Sequence, residues 1–253
     1  MRRGLLLLLA FACTDEVPRE DGGELDAGTD AGLVETTTVT IAWRAVDVFD
    51  RKALEGVRVC VFEHPEVACA VTTSSGSFEL KDVPGETKLL ISFERADMYP
   101  VLRSYFTTRD DSRDESFALP PRETIELAGL LNDLELDPTK AIISFGVVTH
   151  LDEITGSYDR PTGVRAELRP PSGVPYFVNE ASLPDTTRTE TSSVGLGGFF
   201  AVDPGDYQIG FQSDRHTCAR VASGRAWPGT ESNAIAARAV AGWLTGAEWI
   251  DCE

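Results

Sequence analysis

The sequence predicts an all-β protein of two antiparallel β-sandwich modules, joined by a short helix and preceded by a disordered acidic tether. β-rich runs recur at spacings of about ten residues with turn residues between them, and similar runs follow in the same order in both parts of the chain. A segment with helical periodicity separates the two sets. The predicted divisions are a signal peptide (1–12), the tether (13–36), the first module (37–118), the connecting helix (119–140) and the second module (141–253).

An apolar run opens the chain, with nine residues from Gly4 to Ala12 that follow Arg2 and Arg3. As a helix this run rises about 14 Å, which is less than half of a membrane's hydrocarbon core. The run therefore predicts a signal peptide rather than a membrane-spanning helix.

Cys13 follows that run directly. The residues Ala10-Phe11-Ala12 fit the small-x-small rule of ordinary signal peptidase, and with Cys13 they also resemble a bacterial lipobox, which usually has Leu three residues before its cysteine. Because the chain has five cysteines and the other four can form two disulfides, Cys13 is left over. We expect lipidation of Cys13 and anchoring to a membrane of the bacterial cell envelope, the alternative being a secreted or periplasmic soluble protein.

Residues 14–36 contain eight acidic residues, one Arg and four Gly. Such a composition has little to bury and predicts a solvated tether. A flexible chain of this length has a root-mean-square reach of about 25 Å, which lifts a folded domain clear of a membrane surface.

The first module predicts strands at 37–48, 56–63 and 67–73, followed by further β-rich runs up to residue 106. A turn centred between His64 and Pro65 pairs Cys60 directly with Cys69. This is a non-hydrogen-bonded position, where the Cα separation suits a disulfide. Two free buried thiols are the alternative.

Residues 119–138 break the β pattern. Ile125, Ala128, Leu131 and Leu134 recur with helical spacing, and Asp137-Pro138 supplies a stop signal. The segment predicts the connecting helix.

The second module predicts strands at 141–151, 163–170, 197–202 and 206–212 and a closing strand within 237–252, with an insertion from about residue 170 to 193. We expect a disulfide between Cys218 and Cys252 to tie the end of this module to its body.

The pattern resembles a known family of β-sandwiches. The residues that carry the resemblance are Gly56-Val57-Arg58-Val59, Thr72-Thr73-Ser74-Ser75-Gly76-Ser77-Phe78 and Val83-Pro84-Gly85. They are similar to the carboxypeptidase regulatory-like family of transthyretin-like domains, which is grouped with carbohydrate-binding-like folds. Thr73 stands where that family usually has Asp. The resemblance implies a scaffolding or binding module and transfers no catalytic residue.

Charge and motifs narrow the function further. The net charge of −18 disfavours a nucleic-acid partner, which would need clustered Lys and Arg. The three histidines lie in separate segments without metal-ligand spacing, and nucleotide, metalloprotease and nucleophile-elbow motifs are absent from the sequence. We therefore predict no catalytic residue, metal or cofactor, and rank an enzyme last.

Aromatic residues of the second module supply the alternative function. Trp227, Tyr176 and Phe177 are candidate ligand-binding residues, because exposed rings stack on sugars. Trp243 and Trp249, six residues apart in the closing strand, are expected in the core. The sequence thus predicts a non-enzymatic envelope protein with a structural or adhesive role and an envelope protein or polysaccharide as partner; a carbohydrate-binding accessory protein is the alternative.

Overall fold

The computed structural model describes residues 37–152, 157–221 and 226–253. The elements up to the helix are β1 (Thr38–Asp47), β2 (Arg58–Val61), β3 (Ala70–Val71), β4 (Ser77–Pro84), β5 (Lys88–Glu94), β6 (Val101–Phe106), β7 (Ser112–Leu119) and α1 (Arg122–Leu131). The later elements are β8 (Ala141–Asp152), β9 (Ser157–Asp159), β10 (Val164–Arg169), β11 (Val174–Val178), β12 (Pro184–Asp185), β13 (Leu196–Val202), β14 (Gly205–Ser213), β15 (Cys218–Arg220), β16 (Ala234–Ala239) and β17 (Leu244–Cys252). The all-β prediction is confirmed. Hereafter the first half is residues 37–119 and the second half is residues 141–253.

Alternation of apolar residues explains the strands. In β1, Val39, Ile41, Trp43 and Ala45 are buried and the residues between them are more exposed. This period of two is the pattern of a strand with one face on a core.

The strands form one large sheet and two small ones. The large sheet has the order β12-β11-β13-β8-β17-β6-β5-β2-β3, with β9 beside β8 and β15 beside β17. The small sheets are β4-β1-β7 and β10-β14-β16. The large sheet therefore contains strands of both halves, and the division into two modules stays a prediction.

Two main hydrophobic clusters connect these sheets. The first cluster joins β1 and β4 to β2, β5 and β6, and the second joins β10, β14 and β16 to β8, β13 and β17. Along β8, Ile142 belongs to the first cluster and its neighbours Ala141 and Ile143 belong to the second. Because successive strand residues point to opposite faces, the two small sheets cover opposite faces of the large one.

The sheets are not purely antiparallel, which corrects the prediction. β1 pairs with β7 in parallel, and β17 pairs in parallel with both β6 and β8. These partners are far apart in sequence, so long connections return the chain in the same direction. Hairpin-based reasoning cannot anticipate such pairs.

The predicted helical segment contains α1, which is shorter than predicted. It ends before Asn132, whose side-chain amide donates to Ala128 O at 2.8 Å and Pro184 O at 3.0 Å. Ala128 is buried and Ile125 packs against the first cluster, whereas Leu131 is 57% exposed, contrary to its predicted place on the apolar face. The role of α1 as a link between modules stays a prediction.

Candidate functional site

A charged cluster lies around Arg103 on β6 and includes residues of both halves. The guanidinium pairs with Glu115 on β7, with Nη2 3.2 Å from Oε2, and its Nε donates to Oε1 of Glu248 on β17. The three side chains are 8%, 12% and 8% exposed, respectively. Buried ions of this kind persist in proteins only when they are paired and hydrogen-bonded.

Aromatic rings enclose the same guanidinium. Its Cζ lies 4.5 Å from the ring centroid of Trp43 and 5.2 Å from that of Phe117. Trp43 Nε1 donates to Ser112 Oγ at 2.8 Å, and that hydroxyl donates to Glu115 Oε1 at 2.9 Å. The network fixes the Glu115 carboxylate through two donors.

Burial disfavours the charged guanidinium and on its own would lower the pKa of Arg103. The carboxylates of Glu248 and Glu115 outweigh that effect and raise the pKa. Because an arginine does not lose its proton in proteins, Arg103 is not suited to transfer a proton. Its chemistry is that of structural charge pairing.

A surface cleft of about 640 Å³ lies elsewhere, between the loop after β1, residues 95–98 and the start of α1. Arg95 holds Asp97 in a two-pronged pair at 2.6 and 2.8 Å, and Lys52 pairs with Asp50 at 2.5 Å. The hydrogen bond from Arg95 lowers the pKa of Asp97, and the hydrogen bond from Lys52 lowers that of Asp50. Lys52 and Arg95 are therefore both paired with neighbouring carboxylates.

The cleft has the volume of a small-molecule site. Glu123 and Glu126 add two carboxylates from one face of α1. Within residues 37–152, 157–221 and 226–253, no group of three or more His, Cys, Asp or Glu side chains is placed to hold a metal ion. The charged lining of the cleft makes it a candidate contact surface.

The predicted exposure of the three aromatic residues is wrong. Trp227, Tyr176 and Phe177 are 7%, 6% and 2% exposed. Tyr176 and Phe177 lie on β11, an inner strand of the large sheet, and their side chains enter the first and second clusters, respectively. The sequence interpretation had placed them in an insertion. None of these rings offers a face to a sugar.

Trp227 is buried for a different reason. Its ring packs with Leu90, Leu102 and Ala236, in a small cluster on the face of β5 and β6 opposite the first cluster. Its indole N–H donates to Tyr105 O at 3.0 Å. The loop that contains Trp227 therefore packs onto the sheet.

Both predicted disulfides are confirmed. Arg58 pairs with Val71 and Val59 with Ala70, and the same register places Cys60 opposite Cys69. Cys218 and Cys252 are partners in the β15–β17 ladder. Cys13, the predicted lipidation site, lies outside the described residues.

Sequence reasoning missed Arg103, Glu115 and Glu248. A signal existed in β6, because Val101, Arg103 and Tyr105 share a face and the two outer residues are buried and uncharged. A single charge on an apolar face indicates a buried pair. Its partners could not be found, because they come from strands 12 and 145 residues away in sequence.

No family model matches the chain, and no curated protein matches it either. Among solved structures, the minor pilin GBS52 of Streptococcus agalactiae is 10% identical and covers 85% of this chain and 96% of its own, with a TM-score of 0.30. The shaft pilin SpaA of Lactobacillus rhamnosus GG is 11% identical, covers 85% of this chain and 97% of its own, and has a TM-score of 0.24.

A third structure, a cohesin–X-dockerin complex of Acetivibrio cellulolyticus, matches over 31% of this chain at 19% identity, with a TM-score of 0.27. The chain spans 52% of the length of that match. At these identities and TM-scores, the similarities support no inference about function.

Among the described residues, no helix has the length and apolar character needed to cross a membrane.

Proposed function

We propose that this chain is a non-enzymatic, exported protein of the bacterial cell envelope, held on a membrane by a lipid on Cys13, with a structural or binding role. The observation that carries the proposal is the pair of disulfides between neighbouring strands. Disulfides form and persist in oxidising compartments, which lie outside the bacterial cytoplasm. An apolar leader at residues 4–12 supplies the route of export.

The cysteine count supports the anchor. Four of the five cysteines are paired, so the chain retains one cysteine, at the end of the leader. A diacylated or triacylated Cys13 would carry at least two acyl chains, which is the number that stable anchoring requires. The acidic segment 14–36 then serves as the spacer between lipid and fold.

The charged groups support a role without catalysis. The Arg103 cluster is enclosed and its charges are committed to one another. In the cleft, Asp50 and Asp97 are paired with the basic side chains of Lys52 and Arg95. Such groups are suited to holding a fold or contacting a partner. We do not propose sugar stacking on Trp227, Tyr176 and Phe177, because their rings are buried.

The test is the intact mass of the protein from the membrane fraction of its native cell, measured without reduction. We expect a chain that begins at Cys13, carries a diacyl or triacyl mass and resists thiol alkylation at the other four cysteines. The Cys13→Ser variant should leave the membrane fraction and keep both disulfides. An unmodified chain beginning at Cys13 would overturn the lipid anchor, and alkylation of the four paired cysteines would overturn export.

A further inference from the structure

The two halves of the large sheet meet at a short junction. β17 pairs with β6 through three residue pairs, Leu244–Gly246 with Val101–Arg103. The last of these pairs joins Gly246 to Arg103, and β17 then continues along β8 and, at its end, along β15. The ladder between β6 and β17 therefore ends at the residue pair that contains Arg103.

A bulge follows the junction on β17. The register with β8 shifts between Gly246 and Trp249, and Glu248 within the bulge has a φ of 72°. This left-handed conformation is uncommon for a residue other than Gly, Asn or Asp, and it persists where surrounding contacts hold it. Glu248 also forms the ion pair with the guanidinium of Arg103.

The ion pair between Arg103 and Glu248 connects the two halves, whereas the ion pair between Arg103 and Glu115 lies within the first half. Glu115 and Arg103 both belong to the first half, and Glu248 belongs to the second. When Glu248 leaves, Arg103 keeps Glu115 and its aromatic contacts, so no unpaired cation is left in the first cluster. The guanidinium of Arg103 therefore stays in place, and Glu248 can bind to it again.

The closed arrangement also contains a force for opening. The carboxylates of Glu115 and Glu248 both lie against the guanidinium of Arg103. Like charges in a poorly hydrated interior repel each other more strongly than they do in water. Moving Glu248 into solvent relieves that repulsion together with the unfavourable φ.

We propose that the Arg103–Glu248 contact is a latch that closes the junction between the two halves, and that β17 opens from β6 at the bulge when the contact is lost. Other contacts between the halves remain in the opened form. Tyr176 and Phe200 stay in the first cluster, and Trp227 stays bonded to Tyr105 O. The motion is therefore a local opening at the junction, and both halves stay folded.

Glu248→Asn is the variant that best separates a latch role of Glu248 from a role in the bulge. Asn adopts a positive φ more readily than Glu, so this change removes the carboxylate while it eases the backbone. If the only role of Glu248 were to form the bulge, the β6–β17 junction would open less often in this variant. If it is the latch, the junction opens more often in spite of the better backbone fit.

The experiment is hydrogen exchange of the chain with both disulfides intact, read by mass spectrometry for peptides of β6 and β17. In Glu248→Asn, we expect amides of Val101–Arg103 and Leu244–Gly246 to exchange about tenfold faster than in the wild type, while β5 and β13 change by less than about threefold. Glu115→Gln is the matched control, because it removes a carboxylate from the same guanidinium within the first half. It should leave exchange at the junction unchanged or slower.

The latch would be overturned by unchanged or slower exchange at the junction in Glu248→Asn, by equal acceleration in all strands, or by an acceleration in Glu115→Gln that matches Glu248→Asn. Should Glu248→Asn not fold, Glu248→Gln keeps the side-chain length and should show the same local pattern. Failure of both variants to fold would also overturn the proposal, because a latch governs a local opening.

Discussion

The first and second clusters, which lie on opposite faces of the large sheet, differ in the side chains that fill them. The first cluster surrounds a charged group with large side chains, so that Trp43 and Phe117 cover Arg103. Among the residues that the structure describes, no charged side chain is enclosed in the second cluster in this way. There Phe145 contacts Phe177, Phe199 and Phe211, with ring centroids 5.1 to 6.2 Å apart.

Glycines make room in the second half. A Cβ on Gly146 would overlap the ring of Trp249, and a Cβ on Gly197 would lie 2.7 Å from Cζ of Phe145. The short side chains of β16, with Ala234, Ala237 and Ala239 buried, allow a similarly close approach. The first cluster therefore depends on electrostatic pairing around Arg103, and the packing around Gly146 and Gly197 depends on the absence of a side chain, so the two regions should fail through different substitutions.

Arg103→Ala should have the largest effect, with a loss of about 4 kcal/mol of unfolding free energy. The variant leaves Glu115 and Glu248 buried without their shared cation and opens a cavity beside Trp43. Urea denaturation followed by tryptophan fluorescence and by circular dichroism measures the loss.

The control for that variant is Arg109→Ala, which removes an exposed pair with Glu86. It should change stability by no more than about 0.5 kcal/mol, as surface pairs do. A cost for Arg103→Ala below about 1 kcal/mol would mean that the first cluster does not depend on its charges.

Gly198→Ala tests the second half, and we expect a loss of about 3 kcal/mol from overpacking. The added methyl group would overlap Ile143 O and lie 2.5 Å from Tyr176 Oη. Gly210→Ala is the matched control, because it is also a buried strand glycine and its nearest neighbour is Arg169 Cζ at 3.4 Å. Its cost should stay below about 1 kcal/mol, since Ala suits a strand at least as well as Gly. Equal costs at both positions would refute the close approach around Gly198.

The sequence predicted those strands and contacts that depend on residues close together in the chain. β-rich runs in the sequence identified β1, β8 and β14, and the hairpin register identified the Cys60–Cys69 disulfide. It did not predict β11 as an inner strand, because Pro175 and the turn residues around it indicate a loop. It also did not predict the insertion of β17 between β6 and β8, because parallel partners leave no signature in adjacent residues.

The Arg103 cluster shows the same limit at the level of a site. A charge on an apolar strand face is visible in the sequence, but its partners depend on the topology. Burial of Tyr176, Phe177 and Trp227 likewise follows from sheets that cover both faces of the large sheet. An aromatic residue in a segment rich in turn residues is therefore a weak indicator of an exposed ring.

Tyr176 gives the smallest predicted effect and bears on how the halves share a core. It belongs to the second half, yet its ring lies in the first cluster against Phe200, with centroids 4.4 Å apart. Burial raises the pKa of its phenol well above the ordinary value, because the phenolate would lose its hydration. The unfolded chain then ionises near pH 10 while the folded chain keeps the proton, so this residue contributes no pH dependence below about pH 10 and stability is lost as pH rises above it.

Tyr176→Phe should remove that loss, so the wild type should fall relative to the variant by about 1.4 kcal/mol for each pH unit above pH 10. Urea denaturation from pH 8 to pH 11.5 measures the difference, and Tyr99→Phe is the comparison within the first half. Burial also raises the pKa of Tyr99, but this ring is only half-buried and the charge of Arg122 opposes the shift, so its slope should be shallower. Identical pH dependence in the wild type and Tyr176→Phe would mean that water reaches the phenol and that the second half does not seal the first cluster at this point.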